Sequence, residues 1–243
     1  MSLTGLFVTG TGTGVGKTAV AAALCHLTQK AGLPVAPVKP VQTGVLPGEP
    51  GDLDVCLAAA GMTVSGPVRS LMNPYRFRLP ASPHLAAEQE GRTVDPQTIL
   101  KGCRELSRSY DRLIVESAGG LLVPLTRTYG TLDLAAGLGL PLIVVAGAAL
   151  GTINHTLLTL KAARSAGLTV KAVVLNRPSP GCADETERLI ETDNRRVIEE
   201  SGQVKVFGPL PHIPGAGIKS GPTVELALEL EKAGAMSLIR YTD

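Results

Sequence analysis

The sequence predicts an α/β fold: a doubly wound, mostly parallel sheet with helices on both faces. Short β-rich apolar runs recur along the chain, separated by segments of helical pattern, and this alternation marks strand–helix–strand units. Several runs are apolar throughout rather than alternating, as strands are when both faces of a sheet are covered. The first run also leads through a glycine-rich turn straight into a helix, which is how nucleotide-binding sheets of this class open. A length of 243 residues is enough for one such domain, 1–243, with a substantial core.

The first strand is read at 6–9, from Leu6-Phe7-Val8, and a helix at 17–31 begins with Ala19-Val20-Ala21-Ala22-Ala23-Leu24. Gly32 stands where a helix C-cap belongs. A second strand, 35–39, leads to a loop at 44–51 with two prolines and three glycines, after which Asp52 and Asp54 open a helix. Residues 66–83 read as a loop beside the active site. Pro96 after Asp95 starts a helix at 96–109, since proline fits the first helical position and aspartate the cap. Strands follow at 112–116, 142–146, 170–176 and 204–207, with helices at 154–166 (closed by Gly167), 184–201 and 223–233.

Composition excludes several classes. With 44% hydrophobic and 18% charged residues the chain is not disordered. A net charge of +2 and 3% aromatics give neither a basic nucleic-acid surface nor a stacking platform. The longest apolar run, around 138–150, is broken by Pro141 and glycines and falls short of the roughly 18–20 residues a membrane span needs. The N-terminus enters a strand without a basic segment, so no signal peptide is expected. Cys25, Cys56, Cys103 and Cys182 lie far apart with no Cys-x-x-Cys, which argues against zinc or a disulfide framework and fits a reducing cytoplasm.

The turn Gly10-Thr11-Gly12-Thr13-Gly14-Val15-Gly16-Lys17-Thr18 has the make-up of a nucleoside triphosphate loop. Its backbone N–H groups and the helix dipole favour phosphate oxygens; Lys17, read as an exposed loop lysine, reaches the β- and γ-phosphates, and the Thr18 hydroxyl is a Mg²⁺ ligand. The first glycine of the usual spacing is Thr11 here, with Gly10 one residue earlier. In a parallel sheet, ligands bind beyond the carboxyl ends of strands, so the other strand ends are candidates too. Glu116 closes Leu113-Ile114-Val115 where an acid can hold Mg²⁺, and Ser117-Ala118-Gly119-Gly120 allow close approach of a ligand. Asp52 or Asp54 is a second metal carboxylate or a helix cap. Lys39, at a strand end, is suited to neutralising a transferring phosphoryl group. Thr152 and Asn154 stand at a helix start, another anion site. His84 and His155, without a partner acid or cysteine, read as structural.

These segments resemble the dethiobiotin synthetases. The phosphate loop, Lys39-Pro40-Val41-x-Thr43-Gly44, Asn73-Pro74-Tyr75, Ser82-Pro83-His84, Glu116-x-Ala118-Gly119-Gly120 with Pro124-Leu125, and Leu150-Gly151-Thr152-Ile153-Asn154-His155 follow one another in that family's order. The resemblance implies a homodimeric, cytoplasmic ATP-dependent ligase acting on 7,8-diaminononanoate, CO2 and MgATP, with no nucleic-acid or membrane partner. It implies that Lys17 and Lys39 are catalytic, and that Gly14, Val15, Gly16, Lys17, Thr18, Asp54, Glu116, Ser117, Ala118, Gly119, Asn176, Arg177, Leu210, Pro211 and His212 surround the nucleotide. Thr18, Glu116 and Asp54 or Asp52 would hold Mg²⁺; Thr13, Lys39 and Thr43 would hold the diamine–carbamate end. Gly151, Thr152, Ile153 and Asn154 would take the substrate carboxylate across a two-fold interface, because their strand reads as late in the sheet and distant from the phosphate loop.

The sequence departs from the family at Gly14, where many members carry Glu, and at Ser117, which replaces the first glycine of Glu-Gly-Ala-Gly-Gly and requires a negative φ. No acidic residue stands near Gly215 for the nucleotide. A ParA/MinD-like ATPase switch is one alternative, but its signature lysine, five positions before Lys17, is Gly12. A cobyrinate-amidation-type synthetase is another, but a glutaminase domain does not fit in this length.

Overall fold

A computed structural model of the chain describes residues 3–180, 184–218 and 220–240; Cys182 falls outside them. Six parallel strands form the main sheet: β1 (Gly5–Gly10), β2 (Val35–Val38), β5 (Arg112–Gly120), β6 (Leu142–Gly147), β7 (Val170–Asn176) and β8 (Val206–Leu210), in the order β2-β5-β1-β6-β7-β8. A separate two-stranded parallel ribbon joins β3 (Val41–Gln42) to β4 (Tyr75–Arg76). The parallel doubly wound sheet is as the apolar runs predict.

Helix α1 (Lys17–Lys30) packs on one face with α9 (Ser220–Lys232), α2 (Asp52–Ala59) and α10 (Met236–Ile239). The run from Val20 to Cys25 is fully buried, and its alanines let the helix approach the sheet closely while α2 and α9 cover its outer side. The opposite face carries α3 (Gly66–Met72), α4 (Pro83–Gln89), α5 (Pro96–Leu106), α6 (Thr131–Leu138), α7 (Thr152–Ser165) and α8 (Glu185–Gly202). Successive residues of one strand feed the two faces: Leu6 and Val8 pack toward α1, and Phe7 packs toward α5 and α6.

Four readings change. First, 66–83 is not one loop: α3 and β4 lie inside it, elements of seven and two residues, too short to show a periodicity. Second, β5 runs on through Gly119 and Gly120, because a glycine there admits the neighbouring strand; a Cβ on Gly120 would sit 3.1 Å from the Gly10 carbonyl oxygen. Third, the last strand is Val206–Leu210 rather than 204–207, and Pro209 is tolerated because β8 is an edge strand. Fourth, β6 hydrogen-bonds directly to β1, so the strand before Gly151 is the phosphate-loop strand's neighbour and not a distant one. The sheet grows outward from β1 on both sides, and chain order does not give strand order.

Candidate active site

The carboxyl ends of the strands open on one cleft of about 980 Å³. The phosphate loop forms its floor. Gly16 caps α1 at φ 94°, a left-handed conformation that disfavours any side chain, and a Cβ there would run into the Asn176 amide. That amide donates to the Val15 carbonyl oxygen (3.0 Å), so β7 braces the loop from across the sheet. Lys17 is buried rather than exposed, and its Nζ donates to the Gly12 carbonyl oxygen at 2.7 Å. Burial holds its ammonium below the usual lysine range, although Glu116 opposes the shift.

Glu116 is the centre of the polar network. Its carboxylate accepts from Thr18 Oγ1 at 2.9 Å and from Lys39 Nζ at 2.6 Å, both on Oε1. The buried Oε2 has no partner among the described protein groups. Asp52 Oδ2 also lies 2.6 Å from Lys39 Nζ. Burial alone would lower Lys39, but Glu116 and Asp52 outweigh it and hold the ammonium above the ordinary lysine range. Lys39 is pinned through its main chain: its N–H donates to the Met72 carbonyl (2.8 Å), and Asn73 Nδ2 donates to its carbonyl oxygen (2.5 Å).

The two candidate aspartates separate by direction. Asp52 lines the cleft, and its N–H donates to Gln42 Oε1 at 3.0 Å. Asp54 turns away: it accepts from the Gly51 N–H and from Arg69 Nη2, each at 2.7 Å. Asp54 thus acts as a helix-start acid clamped by an arginine, and this corrects its inclusion in the metal and nucleotide sets. An orphaned carboxylate oxygen on Glu116 beside a threonine hydroxyl and a second carboxylate is a donor set that fits Mg²⁺, a hard cation taking oxygen ligands. Among the described residues no three His, Cys, Asp or Glu side chains converge, so such an ion would take its remaining oxygens from phosphate and water.

Of the other expected residues, Thr13, Gly14, Thr43, Ala118, Gly119, Asn176, Arg177, Pro211 and His212 line the cleft. Val15 packs against the core, Leu210 is buried in it, and Ser117 is buried with its hydroxyl toward Thr9 Oγ1 (3.2 Å) and the Gly119 carbonyl oxygen (3.1 Å). These three shape the site from behind rather than facing it. Ser117 is not among the positive-φ residues, so its replacement of glycine carries no backbone strain. Gly151, Thr152, Ile153 and Asn154 do not line the cleft. Gly151 caps α7 and is exposed with Asn154, while Thr152 is buried. The loop before them is drawn toward β7 and α8, since Ala148 N–H donates to the Asn176 carbonyl (3.1 Å) and Asn194 Nδ2 to the Ala148 carbonyl (2.9 Å). His155 is exposed.

Gln42 and residues 213–218 also belong to the wall of the cleft and escape sequence reasoning. Gln42 lies inside the Lys39–Gly44 segment, but only the fold brings its Oε1 to the Asp52 N–H. The stretch from Ile213 to Ile218 offers no pattern beyond its glycines. No helix among the described residues is long and apolar enough to cross a membrane.

The AAA domain family matches residues 4–218. Over 173 residues the chain is 49% identical to the ATP-dependent dethiobiotin synthetase BioD of Anaeromyxobacter sp. (strain Fw109-5), covering 71% of this chain and 76% of that protein. Over 218 residues it is 41% identical to the protein of the same name from Bacillus cereus (strain G9842), covering 88% and 85%. Among solved structures it resembles the septum site-determining protein MinD of Pyrococcus horikoshii OT3, with a TM-score of 0.58 at 17% identity over 98% of this chain and 94% of that one. That likeness is one of fold, a P-loop NTPase sheet.

Proposed function

The chain belongs to the family of ATP-dependent dethiobiotin synthetases, and we propose that its cleft closes the cyclic urea ring with Lys17, Lys39, Thr18, Glu116 and Asp52 as the working side chains. The observation that carries the assignment is the convergence of Lys39, Glu116, Thr18 and Asp52 beside the phosphate loop. One amine of 7,8-diaminononanoate adds to CO2 and loses a proton, giving a carbamate. A carbamate oxygen attacks the γ-phosphorus of ATP and ADP departs, leaving a carbamic–phosphoric anhydride. The second amine then attacks the carbamoyl carbon, the C–O bond to phosphate breaks, and phosphate leaves as the ring closes.

This chemistry asks the protein for position and charge rather than for covalent participation. Lys17 would neutralise β- and γ-phosphate oxygens. Lys39 would meet the carbamate as it becomes a nucleophile and the phosphoryl group as it transfers. Thr13 and Thr43 would bind the diamine–carbamate end, and Asn176, Arg177, Pro211 and His212 would frame the base. Thr18, Glu116 and Asp52 would hold Mg²⁺, which offsets phosphate charge when bound. The start of α7, Gly151–Asn154, with Gly151 and Asn154 exposed, would serve the substrate carboxylate of the partner subunit's cleft in a homodimer. Leu158 on α7 and Leu150 just before it are exposed apolar side chains, which supports an apolar contact there. The three described cysteines are free thiols, in keeping with a cytoplasmic enzyme.

The test is dethiobiotin formation from 7,8-diaminononanoate, bicarbonate and ATP, followed together with ADP release. Equal amounts of dethiobiotin and ADP support the assignment. ATP hydrolysis that diaminononanoate leaves unchanged, with no ring product, overturns it.

A further inference from the structure

The carboxylates assigned to the metal already hold a cation that belongs to the chain. Lys39 Nζ lies 2.6 Å from Asp52 Oδ2 and 2.6 Å from Glu116 Oε1. Resting on the metal assignment above, we propose that Lys39 is a tethered counter-ion of the metal site: its ammonium competes with a divalent cation for Asp52 and Glu116, so the metal enters with the nucleotide, and its entry frees Lys39 for the reacting groups.

Charge makes the competition strong. Lys17 and Lys39 balance Asp52 and Glu116, so a lone dication brings two uncompensated positive charges into a cleft base where Lys39 and Glu116 are buried. A triphosphate reverses that imbalance, which is why metal and nucleotide belong together here. Geometry shows how the exchange starts. Thr18 and Lys39 both engage Oε1 of Glu116, while the buried Oε2 has no partner among the described residues and is a first oxygen for an incoming cation. Asp52 is the more open acid, its side chain 30% exposed. The Lys39 main chain is fixed by Met72 and Asn73, so only its four-carbon stem moves. One residue therefore serves twice, as the resting partner of the metal ligands and as the cation released toward the carbamate.

Mn²⁺ without nucleotide is the direct probe, titrated against the full chain by electron paramagnetic resonance. Lys39→Met leaves two acids with no ammonium between them and should bind Mn²⁺ about tenfold more tightly or better than wild type, each factor of ten being about 1.4 kcal/mol. Lys39→Met/Asp52→Asn restores the charge count and should fall back toward wild-type affinity. Wild-type or weaker Mn²⁺ binding by a folded Lys39→Met protein overturns the proposal.

If Lys39→Met does not fold, the wild-type protein carries the test. The Lys39 ammonium ¹⁵N resonance, identified by its absence in Lys39→Arg, should persist with ADP alone and be lost or shifted when Mg²⁺ joins ADP. A resonance that Mg²⁺ leaves unmoved overturns the exchange. Mn²⁺ binding to the ADP complex of Glu116→Gln separates the two levels. Unchanged binding there overturns the metal assignment and the exchange with it. Weakened binding, together with an unaltered Lys39→Met, overturns the exchange alone.

Discussion

Glu116 accepts from both Thr18 and Lys39 on Oε1, while its Oε2 has no partner among the described residues, so the carboxylate keeps an oxygen to offer a cation. Glu116→Gln keeps the volume and one carbonyl oxygen but is a poorer ligand for a hard cation. The variant should need a higher Mg²⁺ concentration for half-maximal turnover, and a Mg²⁺ titration at saturating ATP reads this directly. Lys17→Ala should lower kcat/KM by about 10²–10³-fold, the scale of removing one preorganised electrostatic donor. Its melting temperature should hold, because the buried ammonium bears a desolvation cost and donates its hydrogen bond to a loop carbonyl, that of Gly12. A large fall in melting temperature would place Lys17 in the fold rather than in the chemistry. At this scale the sequence was most legible, since spacing and residue type mark phosphate-loop and strand-end groups. It was least legible where direction decides. Asp52 and Asp54 are two residues apart at one helix start, and only the fold turns one toward Lys39 and the other toward Arg69.

The helix start at Asp52–Ala59 holds the cleft-facing acid and the arginine-clamped acid together, so their effects should part under mutation and pH. Burial by itself would raise the Asp54 carboxyl, but the Gly51 N–H and Arg69 outweigh it and hold it below its ordinary value. A depressed carboxyl stabilises the fold above its unfolded value and loses that contribution as pH falls through the folded one. Asp54→Asn should therefore lower thermal stability at neutral pH, with an effect that shrinks as the pH falls below the ordinary carboxylate range, while Asp52→Asn lowers activity with the smaller cost in stability. Equal losses of activity from the two variants would contradict the division. Gly16→Ala probes the next element: its φ of 94° and the Asn176 amide leave no place for a methyl group, so the loop must shift and phosphate binding weaken, measured as ADP affinity by calorimetry. The apolar cores of the main strands and the capped helices are legible, as at Asp95, whose carboxylate accepts from the N–H groups of Gln97 and Thr98. The β3–β4 ribbon is not. Two-residue strands owe their existence to the pairing of Val41 with Tyr75 and Gln42 with Arg76, segments far apart in the chain.

At the scale of the whole molecule, the phosphate loop and the Gly151–Asn154 helix start follow adjacent strands, yet only the first faces the cleft. The loop before α7 is tied toward Asn176 and Asn194, which leaves Gly151 and Asn154 in solvent. Strand order thus fails as the reason for a shared site, and the outward aim of the helix start takes its place. A helix N-terminus of fourteen-residue α7 favours a carboxylate. A two-fold dimer would present it to the far end of a nine-carbon substrate bound in the other subunit's cleft. Asn154→Asp or Gly151→Glu sets a negative charge against that carboxylate and should weaken diaminononanoate binding while ATP binding is kept. Lys17→Ala does the reverse, sparing the helix start and disabling the phosphate loop. Each homodimer should be nearly inactive. When the two variants are mixed and exchanged, half of the sites in each heterodimer combine an intact loop with an intact helix start, so activity should return toward one functional site per heterodimer. Heterodimers that form but regain no activity would show that a single chain holds the substrate carboxylate, and would remove the helix start from the site.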